Sequence, residues 1–163
     1  MILGMSLSTF TQLHVALSLV GILTGLVVLA GLLRSQVAGG VTAVFLITTI
    51  LTSATGFLFP VKEILPSHIV GIISLVALAI AVYALYSRRL AGSWRWIYVA
   101  AAVFALYLNV FVLVVQAFLK VPALHAIAPT QSDPAFGATQ LVVLVLFIWL
   151  GIRAARSFRP ALA

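Results

Sequence analysis

Three histidines and two carboxylates are the side chains best suited to chemistry in this chain: His14, His68, His125, Glu63 and Asp133. A neutral imidazole can ligate a metal or haem iron, or pass a proton. A carboxylate can supply an oxygen ligand or orient an imidazole from behind. The sequence contains no cysteine, which excludes disulfides, thiolate metal sites, iron–sulfur clusters and cysteine nucleophiles. What remains is imidazole chemistry. His14 and His68 would hold haem b or a copper, zinc or iron ion, and His125, Glu63 and Asp133 could add ligands. No tight motif spacing joins the five, so the elements that carry them must bring them together.

Those elements are membrane spans. The 163 residues are 64% hydrophobic and only 7% charged, whereas about 25% of a soluble domain is charged. Mean hydropathy is +1.31. The net charge of +7 lies between apolar runs, where it serves as an orientation signal and an anchor at anionic lipid, not as a nucleic-acid surface. Five apolar runs approach the ~17–25 residues that a spanning helix needs. They cover about residues 10–33, 41–59, 67–87, 94–119 and 139–155 of one all-α transmembrane bundle occupying residues 1–163. Pro60 stops the second run, Ser67 is placed to cap the third, and a loop rich in proline joins the fourth to the fifth. The first run lacks a basic flank and exceeds the ~7–15 apolar residues of a signal peptide, so it reads as a retained span.

Orientation follows from the cations. Arg34, Arg88, Arg89, Arg95, Arg153, Arg156 and Arg159 fall at one end of the bundle, and Lys62 and Lys120 at the other. The positive-inside rule therefore predicts a cytoplasmic C-terminus and an outside N-terminus. Trp94, Trp96, Tyr98, Tyr83, Tyr86 and Trp149 gather towards the cytoplasmic ends, as an interfacial aromatic belt does. Residues 108–131 resemble small bacterial inner-membrane proteins, which implies a multi-pass inner-membrane location. With this topology all three histidines and both acids fall on the outer face. His14 to Arg34 and His68 to Arg88 are both spaced by 20 residues, consistent either with a duplicated helical hairpin plus a fifth helix or with the ordinary length of any hairpin.

The spans also predict a polar lining. His14, Ser18, Gly21 and Gly25 follow the i, i+4, i+7, i+11 spacing of one helix face, and Gly21 and Gly25 form a GxxxG helix-packing surface. Thr48, Thr52 and Thr55 make a hydroxyl stripe on the second span. Asn109 and Gln116 share a face of the fourth. Packing alone accounts for such stripes, since hydroxyls bond the i−4 carbonyl and amides join helices. The other reading is a polar pocket open to the outside. There is no acid, lysine or arginine at mid-membrane, which disfavours a carboxylate-driven transporter. Glycine-rich phosphate loops, GxSxG and HExxH are absent. The leading expectation is an outward pocket binding a transition metal or haem, for electron transfer, metal handling or assembly of a respiratory-type complex. Against it stand a small channel or carrier using Thr52, Asn109 and Gln116, and an accessory subunit that meets a membrane-protein partner, or a second copy of itself, through the GxxxG face.

Overall fold

The computed structural model describes residues 2–60 and 66–160. These are helical almost throughout and contain no strand. The helices are α1 (Leu7–Leu33), α2 (Gly39–Gly56), α3 (Pro66–Val82, continued by a π-helical turn over Tyr83–Ser87), α4 (Trp94–Lys120), α5 (Pro122–Ile127) and α6 (Pro134–Ser157). All but α5 are long and apolar enough to cross a membrane, which suggests a multi-pass membrane protein in contact with lipid.

The helix ends depart from the sequence expectation for identifiable reasons. α1 begins at Leu7 and not at Phe10, because the Ser6 hydroxyl accepts from Thr9 N–H at 3.1 Å and caps the helix. Ser67 does not cap α3. It lies within the first turn behind Pro66, whose missing N–H suits that position. The residues joining α4 to the last span are not simply loop: α5 starts at Pro122, and α6 starts at Pro134 instead of Thr139. Lys62 and Glu63 lie outside the described residues.

Short connections make sequential helices antiparallel neighbours. α1 packs on α2, α2 on α3 and α3 on α4, and α4 closes the ring against α1. α1 and α3 thus stand diagonally across a four-helix ring, and α6 packs outside it against α4 and α1. The order is that of two successive hairpins followed by α6, although α3 ends in a π-helical turn that α1 lacks.

The two ends of the ring are packed differently. The half nearer the C-terminus is a continuous apolar core built from Val28, Leu29 and Leu32 of α1, Phe45 and Leu46 of α2, Leu78 and Ala81 of α3, and Val99, Ala102, Val103 and Leu106 of α4. Tyr98, expected in the interfacial belt, is fully buried in that core against Phe158. It faces into the ring, whereas Tyr83, Tyr86, Trp96 and Trp149 remain exposed. Arg88 stacks on Trp94 and Arg153 on Trp149, with guanidinium carbons 5.4 and 5.1 Å from the ring centroids. The tail after α6 is tied to the α1–α2 turn, where Arg159 N–H donates to Ser35 Oγ at 3.0 Å.

Gly25 sets how closely α1 approaches. A Cβ built there would lie 2.5 Å from Leu106 Cδ1 and 2.9 Å from the Phe45 ring. By contrast, a Cβ on Gly40 would meet nothing within 4 Å. Gly25→Leu should therefore lower the unfolding temperature in detergent, with an overpacking cost of about 1–3 kcal/mol. Gly40→Leu should stay within about 0.5 kcal/mol of the parent. Equal melting of the two variants would contradict this packing.

Candidate functional site

Above this core, towards the end that carries the N-terminus, the four helices separate around a cavity of about 410 Å³. That size falls in the ~300–1,000 Å³ range of small-molecule pockets. α1 contributes Thr11, His14, Val15, Ser18 and Leu19; α2 and the residues after it contribute Thr52, Ser53, Gly56, Phe57 and Phe59. From α3 come Ser67, His68, Val70, Gly71 and Ser74, and from α4 Leu108, Asn109, Val112, Leu113, Gln116 and Lys120. Asn109 and Lys120 lie eleven residues apart on one helix, so the cavity runs roughly 16 Å along it at ~1.5 Å per residue. It is a slot parallel to the helices, with apolar walls and scattered polar groups.

His14 is the best-defined group in the cavity. Its Nδ1 is 2.8 Å from Thr55 Oγ1. The Thr55 hydroxyl has one hydrogen, which it donates to the Leu51 carbonyl at 2.7 Å, one turn back on α2. The Thr55 oxygen therefore accepts, and the network assigns the imidazole proton to Nδ1. That leaves Nε2 with a free lone pair. Phe59 packs edge-on against the His14 ring, centroids 5.2 Å apart.

His68 approaches the same cavity from the diagonal helix. Phe57 lies against its ring at 5.5 Å. Phe57 can do so because Gly71, one turn further along α3, has no side chain: a Cβ there would sit 3.2 Å from the Phe57 ring. Each histidine is thus packed by one phenylalanine from the segment that follows α2.

Towards the bottom of the slot, Ser18 donates to Asn109 Oδ1 at 3.4 Å, and Ser53 donates to Ser74 Oγ at 3.0 Å. Asn109 is 8% and Ser74 5% exposed. Asn109 Nδ2 and Thr49 Oγ1 are buried with no hydrogen-bond partner among the described residues. Both lie against Gly21, 3.2 and 3.0 Å from where its Cβ would be. The His14, Ser18, Gly21, Gly25 face of α1 accordingly looks into the ring along its whole length.

The other sequence-derived candidates lie elsewhere. His125 sits on α5, its Nδ1 donating to the Phe118 carbonyl at 3.2 Å, and does not line the cavity. Asp133 precedes α6 and accepts from Thr130 N–H at 2.7 Å and from the Thr130 hydroxyl at 2.8 Å. Those bonds hold its carboxyl below the ordinary carboxylate range. Glu63 falls outside the described residues. Among those described, no three His, Asp or Glu side chains gather around one point. Of the hydroxyl stripe, Thr52 lines the cavity and Thr55 supports His14, while Thr48 donates to the Val44 carbonyl at 2.7 Å. Sequence reasoning missed Ser67, Gly71 and Ser74, whose i, i+4, i+7 spacing below His68 was the available signal. It also read Lys120 only as a charge at the helix end, whereas Lys120 lines the cavity.

No family model, curated protein or solved structure matches the chain.

Thr55→Val tests the histidine network. Without the hydroxyl, His14 Nδ1–H loses its acceptor, at a cost of about 1–3 kcal/mol for a half-buried group. Nitrogen-15 spectra of histidine-labelled protein should show the Nδ1-protonated tautomer at His14 in the parent and a loss of that preference in the variant. An Nε2-protonated parent would refute the assignment.

Proposed function

We propose that this protein is a multi-pass membrane protein, N-terminus outside and C-terminus cytoplasmic, that binds a small membrane-dissolved molecule in an outward-facing pocket. The observation that carries the reading is the shared cavity: His14, His68, Thr52, Asn109 and Gln116, spread over four helices in sequence, all line one 410 Å³ space. Apolar walls with a few convergent polar groups are the usual make-up of a small-molecule site. The bacterial inner membrane is the setting we assign to it. The seven arginines at the C-terminal end and the lipid-ready faces of all five long helices support that placement.

The organic ligand is preferred to a metal because only two imidazoles reach the cavity. A closed zinc site needs four ligands, and a catalytic one three. Haem b held by His14 and His68 would have to enter between rings that Phe59 and Phe57 already cover. A through-channel is disfavoured by the core below Asn109, where Phe45, Leu106 and Val28 leave no path.

Two measurements test the proposal. The chain has no cysteine, so Gln131→Cys and Gln36→Cys each introduce a single thiol. A membrane-impermeant maleimide should label the first from outside intact cells and the second only after lysis; the reverse pattern would invert the topology. Native mass spectra of protein released from its membrane should retain a small organic adduct that Ser74→Trp, which fills the cavity, displaces. Bound copper, zinc or iron, or a haem Soret band, in the parent would instead favour the metal reading.

A further inference from the structure

Resting on the pocket reading, the geometry points to a ligand that carries a hydroxyl head, donated to His14 Nε2.

The pocket's hydrogen-bonding capacity is defined by what its own side chains have already used. His14 Nδ1–H is spent on Thr55, and the Thr55 hydrogen on the Leu51 carbonyl. The atom His14 has left is Nε2, an acceptor. On the opposite wall, Ser74 already accepts from Ser53, which leaves its own hydroxyl hydrogen to give. Asn109 accepts from Ser18 through Oδ1. The pocket therefore combines an open acceptor on α1 with a hydroxyl donor on α3, while α4 adds the unpartnered Asn109 Nδ2 and the Gln116 amide. A hydroxyl is the smallest group that answers both, because it donates one hydrogen and accepts on two lone pairs.

The head is recognised here through its hydroxyl and not through a charge: among the described residues lining the cavity, the one charged side chain is Lys120 at the end of α4. The walls, formed by Val15, Leu19, Val112 and Leu113 with the two phenylalanines, suit the hydrocarbon attached to the head. A phenol or quinol and a lipid alcohol share this chemistry.

Two matched pairs of ligands distinguish the sources while isolating the hydrogen. Duroquinol and duroquinone differ by the two hydroxyl hydrogens, and 1-decanol and decyl methyl ether by one. Calorimetric titration into the full chain in nanodiscs should show the hydroxyl member of one pair binding about tenfold or more tighter than its partner, the worth of one buried hydrogen bond. The pair that responds names the source. His14→Leu should erase the difference within that pair, and Ser74→Ala should weaken binding of both its members by a similar factor. Equal affinities within both pairs, or a preference that survives His14→Leu, would overturn the inference. If none of the four binds but a native adduct is displaced by Ser74→Trp, the pocket stands and the hydroxyl assignment falls. With no adduct and no binding, both fall.

Discussion

The structure depends on how closely α1 approaches its neighbours at Gly25. There the α1 backbone meets Leu106 and Phe45 directly, with no room for a methyl group. In hydrocarbon, apolar association gains little from burial, since lipid tails are as apolar as the helix faces. Van der Waals contact at close range must supply the attraction, and a bare backbone permits more of it. Below Gly25 the ring is filled by Val28, Leu29, Leu32, Leu78 and Ala81. Above it the side chains facing inward become Gly21, Ser18 and His14, and density gives way to a cavity. The same face of α1 both holds the bundle together and opens it.

That change of residue type explains why the polar groups can remain in the membrane. Thr48, Thr52 and Thr55 on α2 bond their own i−4 carbonyls at Val44, Thr48 and Leu51, so these three are satisfied without a partner helix, whereas Ser53 reaches across to Ser74. His14 cannot satisfy itself in this way. It relies on Thr55, whose self-bonding turns its oxygen into a pure acceptor. The Thr55 bond consequently fixes the tautomer as well as the position of the ring. Histidine supported in this manner has one role left to fill, through Nε2, and the phenylalanines from the α2–α3 connection limit what can reach it.

The five long helices were legible in the sequence, and short α5 was not, because an apolar run of about twenty residues has few alternatives. The inward face of α1 could be read as well, since His14, Ser18, Gly21 and Gly25 share one side at helical spacing. The partners of those residues could not. Nothing local says that α1 and α3 stand diagonally, so the meeting of His14 and His68 at one cavity depends on ring order alone. His125 and Asp133 show the converse. Both lie between the fourth and fifth spans, where placement at one membrane surface suggested a common site. Yet α5 turns His125 back on the Phe118 carbonyl, and Asp133 closes on Thr130. Sharing a surface is a much weaker constraint than sharing a cavity.

With His125 and Asp133 bonded elsewhere and Glu63 outside the described residues, the chemistry turns on the two imidazoles that line the cavity. Five ligating groups on one face read naturally as a metal site. Two imidazoles in an apolar slot, one with its Nδ1 held by Thr55 and each packed by an aromatic ring, read as hydrogen-bonding points for an organic head. A metal gains most of its binding from charge donated by several ligands. A neutral molecule needs only shape, apolar walls and a few directed bonds. The slot offers the second set of features, above a half of the ring that is packed with Val28, Leu29, Leu32, Leu78 and Ala81.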